Sequence, residues 1–346
     1  MRVYEIGDYS TGLNLHIVER PRPTPGHGEV LMKVRATGLN ARDLSIMEGA
    51  LSTRAMPYTR VPLSDNAGDV SAVGPGVTNV VVGDRVTMTH YWQWLDGDWH
   101  ASMAQQDYSA TLDGFLAEEV VVPATALVRI PDAMSYEEAS TLQSAGLTAW
   151  NAVVEAGGVR PSDTVLTLGT GGVSVFGMQW AKMLGAQVIV TSSSDEKLRR
   201  MKALGADLTI NYKNNLNWSD AVLEMTGGEG ANVVLNNVGM QEMENCLSSC
   251  ASNGRVMYIG ANPVVHGQGS GEPVVLTRFP NLIIKSLMIK GIIVGSRRML
   301  KDLIQAMATN KIKPVIDRVY AFDDFLEAIP YMKSGHKIGK IVIKVQ

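Results

Sequence analysis

The chain has few cysteines, and the two it has lie close together in sequence. Only Cys246 and Cys250 occur among its 346 residues, which excludes a framework of several disulfides. They are one helical turn apart, where backbone geometry rarely permits a disulfide. We interpret them as small core residues on a helix, because no His or further Cys lies nearby to complete a metal site. This cysteine usage favours a reducing, cytoplasmic compartment.

Long hydrophobic runs and an excess of one charge are also missing. No stretch reaches about 18 uninterrupted apolar residues, which excludes a transmembrane helix. The first twenty residues include Arg2, Glu5, Asp8 and Glu19 and do not predict a signal peptide. Lys and Arg total 31 against 34 Asp and Glu, without a run of one sign. We therefore expect a small-molecule partner, and neither nucleic acid nor a membrane.

The length predicts two domains, and the hydrophobic pattern changes between them. Residues 1–126 contain short alternating strands separated by Pro and Gly, such as Glu29–Arg35 and Gly68–Gly74, which predict a small twisted β-barrel. Residues 309–346 return to strand character at Lys340–Val345, and we assign them to the same domain.

Residues 127–308 alternate continuous apolar strands with helical stretches. This pattern is typical of a parallel sheet covered by helices on both faces, and it predicts an α/β, doubly wound domain of the Rossmann type. The predicted strands are Thr164–Leu168, Gln187–Thr191, Leu208–Asn211, Asn232–Asn236, Arg255–Ile259 and Ser286–Val294. We expect a cofactor and a substrate to meet in a cleft between the two domains.

A glycine turn follows the first of these strands and precedes a helical stretch, Val175–Leu184. Small residues let the backbone approach a pyrophosphate, whose charge then lies at a helix N-terminus with unpaired amide groups. Ser174 stands where the third glycine of such a turn is usual. The sequence therefore predicts a dinucleotide site with contacts from Thr170, Gly171, Gly172 and Val173.

The end of the second strand indicates which dinucleotide is preferred. An NAD site ordinarily has Asp or Glu there to bind the ribose 2′-hydroxyl, but this chain has Ser192 and Ser193. Hydroxyl groups do not repel a 2′-phosphate, and Lys197 follows where its ammonium group could neutralise one. Asp195 could still serve NADH or simply cap the next helix, and Lys197 could be only a solvated helix residue. On balance NADPH is favoured.

These features resemble one superfamily from end to end. The chain resembles the medium-chain dehydrogenases/reductases, particularly their zinc-free quinone oxidoreductase-like branch, and the resemblance implies a GroES-like β-barrel catalytic domain plus a Rossmann domain. The segments that carry it are Gly38–Asp43, Ala67–Val70, Val82–Val86, Ala145–Trp150, the turn at Gly169 and Ala203–Asp207.

The resemblance also implies roles for individual residues. It places Lys197 and Tyr212 beside the 2′-phosphate, and Asn40 and Thr148 near the nicotinamide. Further residues are expected at strand ends that face the cofactor, namely Asn237, Gly260 and Ala261.

Zinc-dependent relatives hold catalytic zinc with Cys, a His-Glu pair and a further Cys or His. Alignment on the flanking motifs puts Asn40, Ser64–Asp65 and Ala145 at these positions, and none of them makes a good ligand set. The region Met88–Gly114, where structural zinc would be bound, has no cysteine. We therefore expect no metal.

Without a metal, conjugate reduction is easier to arrange than alcohol oxidation, because the charge spreads over an enolate or quinolate. We expect an NADPH-dependent reductase of a quinone or an α,β-unsaturated carbonyl compound. Two alternatives stay open, a zinc-free alcohol or ketone dehydrogenase and a non-catalytic NADPH-binding protein. Substrate profiling separates them.

The candidate hydrogen-bond donors for catalysis are Asn40, Tyr58 and Asp65, with Thr148 as a further one. Tyr58 is either an acid or only a wall of the pocket. Asp43 is interpreted as a helix cap. The tryptophan-rich segment His90–His100 either lines a substrate pocket or forms a surface lobe held by its own indoles.

The last predicted strand, Ser286–Val294, is apolar and would lie at the edge of the sheet. An apolar edge is usually covered by a partner. Members of the resembled family dimerise at this edge, so we expect a homodimer.

Overall fold

The computed structural model describes residues 1–7, 13–49, 60–260, 277 and 279–346. These residues form two compact units, one made of Met1–Leu147 with Gly295–Gln346 and the other of Thr148–Val294. None of the helices in the described ranges combines the length and the apolar character needed to cross a membrane.

The described strands and helices follow one another in chain order. The strands are β1 (Arg2–Ile6), β2 (Leu15–Glu19), β3 (Glu29–Leu39), β4 (Ala67–Val73), β5 (Arg85–Thr87), β6 (Glu119–Pro123), β7 (Val128–Arg129), β8 (Thr164–Leu168), β9 (Gln187–Ser192), β10 (Leu208–Asn211), β11 (Ala231–Asn236), β12 (Cys250–Tyr258), β13 (Met288–Gly291), β14 (Ile316–Ala321) and β15 (Lys340–Lys344). The α-helices are α1 (Ala41–Met47), α2 (Tyr136–Ala139), α3 (Leu147–Trp150), α4 (Gly172–Met183), α5 (Asp195–Ala203), α6 (Trp218–Met225), α7 (Met243–Ser249), α8 (Asn281–Ile284), α9 (Arg297–Asn310) and α10 (Phe325–Lys333).

The boundaries between the units differ from the predicted ones at 126/127 and 308/309. Strand β7 pairs antiparallel with β5, which holds the chain after residue 127 in the first unit. At the other boundary, the N–H groups of Arg297 and Arg298 donate to the carbonyl oxygens of Trp94 and Leu95. Residues 127–147 and 295–308 therefore group with the first unit, to which these backbone hydrogen bonds join them.

The first unit is organised around β3. This strand pairs antiparallel with β4, β6 and β15, and the order of the main sheet is β14-β15-β3-β4-β5-β7. The side chains of Leu31, Val34 and Leu39 are buried, as expected for a strand surrounded by neighbours. The pairing brings the end of β3, the start of α1 and the first residue of β15 together.

The second unit is the predicted doubly wound domain. Its six strands are all parallel in the order β10-β9-β8-β11-β12-β13, so the order reverses between β8 and β11. Dinucleotides bind at such a switch point, outside the carboxyl ends of the strands. Strand β13 is shorter than predicted at both ends, and at its start Ser286 has a left-handed φ of 51° that an extended strand cannot include.

Both cysteines are buried and free. Cys246 lies on α7 as predicted, whereas Cys250 is the first residue of β12 and not part of a helix. Both belong to the apolar cluster between the sheet and α6 and α7, together with Trp218, Val222 and Leu247. Their role is packing.

Candidate cofactor and catalytic sites

The glycine turn lies between β8 and α4. Gly169 has a φ of +79°, and a Cβ added there would have nothing within 4 Å, so the turn needs glycine for its backbone and leaves open space. Gly171 is the N-cap of α4, with extended backbone and no side-chain hydrogen bond to the cap. The first amide groups of this twelve-residue helix therefore remain available to a negatively charged group such as a pyrophosphate.

Ser174 replaces the usual third glycine with a defined contact. Its hydroxyl donates to the carbonyl oxygen of Leu168 at 2.8 Å and accepts from the Asn237 side-chain amide at 2.7 Å. The Oδ1 atom of Asn237 is buried and has no hydrogen-bond partner within the described residues. Gly260 lies alongside, since its N–H donates to Asn236 at 3.1 Å. An unsatisfied acceptor at the ends of β11 and β12 fits a donor on a bound cofactor.

Close packing of helix and sheet depends on a glycine that the sequence reasoning missed. A Cβ added at Gly177 would lie 2.4 Å from Cδ1 of Leu235 on β11, too close without a shift of that side chain. Gly177 therefore takes the packing role that the third glycine of the turn ordinarily has. Its position one turn after Ser174 was the available signal.

The predicted 2′-phosphate residues come together at the ends of β9 and β10. Ser192 ends β9 and accepts through its carbonyl from the N–H of Tyr212 at 3.1 Å. After Ser193, Ser194 caps α5 by accepting from the N–H of Lys197. No carboxylate ends β9, and Ser192, Tyr212 and the first turn of α5 lie at the same edge of the sheet.

Asp195, the alternative ligand for NADH, is engaged elsewhere. Its Oδ1 accepts from the side-chain amide of Asn211 at 2.7 Å. The remaining predicted cofactor residues are less informative. Thr148 is buried in α3 at the start of the second unit. Ala261 and the proposed acid Tyr58 lie outside the described residues.

In the first unit, Asn40 directly follows β3 and is the N-cap of α1. Its N–H and its side-chain amide donate to Oδ2 of Asp43 at 2.8 and 3.1 Å. Asn40 is thus the N-cap, and Asp43, three residues later, completes a capping box with it, so the capping role expected for Asp43 is that of the N-cap's partner. Oδ1 of Asp43 accepts from the Ser64 hydroxyl at 2.5 Å, and burial raises the pKa of this carboxyl above its ordinary value.

A lysine that sequence analysis did not identify completes this cluster. The Lys340 ammonium group donates to Oδ2 of Asp65 at 2.8 Å, to the Leu39 carbonyl at 3.3 Å and to Oδ1 of Asn40. Lys340 is 3% exposed and the Asp65 side chain is fully buried. The other oxygen of Asp65 accepts from the N–H of Ser144 at 2.8 Å, so Ser144, and not the aligned Ala145, makes this contact. Asn40 and Asp65 are thus held by protein groups, which favours positioning roles over proton donation.

Arg42 joins the same cluster through Ser64 and links it to Asp107. Its guanidinium group donates to the Ser64 hydroxyl and, at 2.5 Å, to Oδ2 of Asp107. Burial raises the pKa of the Asp107 carboxyl to about 6, against the opposing effect of the Arg42 charge. Hydrogen bonds therefore run continuously from Asp107 through Arg42 and Ser64 to the capped start of α1.

His90 is next to this network and is fully buried. Neither of its ring nitrogens has a hydrogen-bond partner within the described ranges. Burial, and then the charge of Arg42, lowers the pKa of His90 well below its ordinary value, so the ring is neutral near pH 7. Its ring centroid lies 4.5 Å from that of Tyr91.

The tryptophan-rich segment packs largely on itself. The ring of Trp99 contacts those of Tyr91 and Trp94 at centroid distances of 4.9 and 5.1 Å, edge to face. The indole N–H of Trp94 donates to the carbonyl of Gly97. These contacts support the interpretation as a lobe held by its own indoles.

The donor set of the polar cluster does not fit a zinc ion. An amide at Asn40 and hydroxyls at Ser64 and Ser144 replace the thiolates and imidazoles that zinc prefers. The one carboxylate at these positions, Asp65, already has the Lys340 ammonium group as its cation. Throughout the residues that the structure describes, no group of three or more His, Cys, Asp or Glu side chains could hold a metal ion.

Comparison with known proteins places the chain among dehydrogenases. Residues 26–132 match the alcohol dehydrogenase GroES-like domain, and residues 172–309 match the zinc-binding dehydrogenase family. A zinc-type alcohol dehydrogenase-like protein of Schizosaccharomyces pombe is 38% identical over 92% of this chain and 91% of its own length. An acryloyl-coenzyme A reductase of Metallosphaera sedula is 28% identical over 99% of both chains.

Solved structures agree with these matches. An NAD-dependent alcohol dehydrogenase has a TM-score of 0.88 at 32% identity and is covered completely, as is this chain. A mycobacterial protein complexed with NADPH has a TM-score of 0.79 at 29% identity, covering 99% of both chains. A mycobacterial quinone oxidoreductase has a TM-score of 0.77 at 29% identity, covering 99% of this chain and 98% of its own. With its GroES-like and Rossmann domains, this oxidoreductase chain belongs to the medium-chain dehydrogenase/reductase superfamily.

Proposed function

We propose that the protein is an NADPH-dependent oxidoreductase that works without zinc and reduces a quinone or an α,β-unsaturated carbonyl compound. The observation that carries this proposal is the buried ion pair of Lys340 and Asp65, which joins Asn40 at the positions aligned with zinc ligands. The Lys340 ammonium group thus occupies the place of a metal cation without being a Lewis acid.

The cofactor preference rests on the ends of β8, β9 and β11. The uncapped start of α4 would receive the pyrophosphate, and the Oδ1 atom of Asn237 would accept a hydrogen bond from the cofactor. Ser192 replaces the carboxylate that would repel a 2′-phosphate, and Lys197 and Tyr212 would lie beside that phosphate. When bound, NADPH supplies a hydride, whose C–H bond to the nicotinamide breaks as a new C–H bond forms on the substrate.

The substrate class follows from how the product charge is stabilised. Hydride addition to the β-carbon of an enone moves the displaced electron pair to the carbonyl oxygen, and the resulting enolate takes a proton at its α-carbon from water. Hydrogen-bond donors suffice for a charge that is delocalised in this way. The similarity to an acryloyl-coenzyme A reductase and to a quinone oxidoreductase supports this class. An alcohol or ketone dehydrogenase is the second candidate, supported by the relatives that carry that name.

A matched pair of substrates separates the two candidates. We would titrate the protein with NADPH and with NADH, following cofactor fluorescence, and then measure NADPH consumption with menadione, 2-cyclohexenone and cyclohexanone. We expect tighter binding of NADPH, turnover of the quinone and the enone, and no effect of EDTA. Turnover of cyclohexanone alone, or activity only after zinc is added, would contradict the proposal. Binding without turnover would instead indicate a non-catalytic NADPH-binding protein.

We also propose that the protein is a homodimer paired along β13. This strand is at the edge of the described sheet, and Met288 and Ile289 are about two-fifths exposed. On the adjoining α8, Ile283 and Ile284 are 85% and 78% exposed. An apolar edge of this kind is ordinarily covered, and a second copy would cover both edges symmetrically.

Light scattering coupled to gel filtration tests this proposal. We expect twice the chain mass of 37.4 kDa at micromolar concentration, and a monomer for Ile289→Lys. Val319→Lys is the control, since Val319 is 50% exposed on β14 of the other unit. A monomeric wild-type protein would be inconsistent with the proposal.

A further inference from the structure

Two cations lie in the polar network, and the protein uses them differently. Lys340 is 3% exposed, and each of its three ammonium protons has an acceptor in Leu39, Asn40 or Asp65. The side chain of Arg42 is 19% exposed, and it donates to Ser64 and Asp107. A guanidinium group has five N–H donors. Arg42 is therefore the cation that retains donors for a bound molecule.

The surroundings of Arg42 contain polar atoms that the described residues leave unsatisfied. Both ring nitrogens of His90 are buried without partners. Tyr91 lies between His90 and the ion pair, since its ring contacts His90 and its hydroxyl interacts with Asp107 and Arg42. A buried polar atom without a hydrogen-bond partner destabilises the fold, because it has lost its hydration without a replacement. Two such atoms on His90, beside one partly exposed guanidinium, indicate a place that a polar group completes on binding.

We propose that Arg42 is a catalytic residue that binds the carbonyl oxygen of the substrate and stabilises the negative charge developing on it. This inference rests on the proposed function. As the hydride adds to the β-carbon, the electron pair displaced from the double bond reaches the oxygen, and N–H groups of Arg42 donate to it. Arg42 neither gains nor loses a proton, and the α-carbon is protonated by water. The guanidinium thus provides the charge stabilisation that a metal gives elsewhere.

The competing interpretation is that Arg42 is only the counter-ion of Asp107. The second unit offers a matched pair for comparison, because Arg255 donates to Asp163 at 2.9 Å. Side-chain exposures are 24% and 10% in that pair and 19% and 7% for Arg42 and Asp107. Breaking either pair should therefore have a similar effect on stability, whereas only Arg42 should affect catalysis.

Kinetics of Arg42→Met, Arg42→Lys and Arg255→Met with 2-cyclohexenone make the first test. We expect Arg42→Met to lower kcat/KM by about 100- to 1,000-fold, the effect of removing an oxyanion donor. Arg42→Lys should recover part of this loss, and Arg255→Met should stay close to wild type. The Kd for NADPH should be unchanged in all three. An Arg42→Met enzyme within a few-fold of wild type, or an equal loss in Arg255→Met, would overturn the proposal. If Arg42→Met does not fold, Arg42→Met/Asp107→Leu removes the unpaired carboxylate and serves in its place.

A binding measurement makes the second test and does not depend on turnover. The absorbance of bound 4-nitrophenol, whose phenolate mimics an enolate, gives its pKa on the protein with and without NADP+. We expect a lowered pKa on the wild-type protein and a value near that of the free phenol on Arg42→Met. Equal values on the two proteins, or no binding to wild type, would contradict the role of Arg42. Failure of the wild-type protein to bind NADPH while this shift persists would instead remove the proposed function and leave the oxyanion site.

Discussion

Replacing Lys340 by methionine should lower the free energy of unfolding by about 3–5 kcal/mol, the usual cost of breaking a buried ion pair from one side. Among the described residues, the variant leaves the N–H of Ser144 as the remaining partner of the fully buried Asp65 carboxylate. It also releases the carbonyl of Leu39 and the side chain of Asn40. Urea denaturation followed by circular dichroism measures the change.

Two further variants show whether the loss of stability comes from an unpaired buried charge or simply from removing a lysine. In Lys340→Met/Asp65→Leu both charges are gone, and most of the lost stability should return. Lys182 pairs with Asp207 at the same distance of 2.8 Å, but their side chains are 37% and 35% exposed. Lys182→Met should therefore cost less than about 1 kcal/mol. A loss for Lys340→Met as small as that for Lys182→Met would show that the buried pair does not hold this cluster together.

The second large effect concerns the cofactor. Ser192→Asp should weaken NADPH binding by roughly 100-fold or more, because like charges placed together cost several kcal/mol. The new carboxylate would end β9, where it would oppose the 2′-phosphate but accept hydrogen bonds from the ribose of NADH. Parallel fluorescence titrations with the two cofactors measure the change, and the preference should reverse.

Gln187→Asp is the matched control, since it adds the same charge at the opposite end of β9. This variant should bind both cofactors like the wild type. If Ser192→Asp retained wild-type affinity for NADPH, the 2′-phosphate would lie away from Ser192, and the roles proposed for Lys197 and Tyr212 would be wrong as well.

The second unit was the more predictable part of the fold. Strands β8 and β10 begin and end at the predicted residues, because continuous apolar runs bounded by turns mark buried parallel strands clearly. The first unit was less predictable at its boundaries. Strand β7 has only two residues, Val128 and Arg129, and its partner β5 lies more than forty residues earlier. The hydrophobic periodicity of a two-residue strand cannot predict its pairing with a strand so far away in sequence.

The two candidate sites also differ in how far the sequence predicts them. The cofactor residues around the glycine turn and the end of β9 could be predicted because the strand, turn and helix that form them are consecutive in sequence. The environment of Asn40 and Asp65 was not predicted, since it depends on Lys340, which is 275 residues from Asp65. Asp107 and Arg42 are 65 residues apart, and only the fold brings them together. Lys340 is the first residue of the apolar strand β15, and nothing in the neighbouring sequence indicates that it pairs with Asp65.

The division of the first unit between two stretches of sequence affects the order of events during synthesis. Domains generally fold as units while the chain leaves the ribosome. Residues 148–294 form one continuous unit, so they can fold before Lys340 has been made. Until β15 emerges, β3 lacks a neighbour and the Asp65 carboxylate has no ammonium group beside it. A nascent chain stalled before residue 340 should therefore protect its nucleotide-binding half from protease and leave the earlier barrel strands open to cleavage.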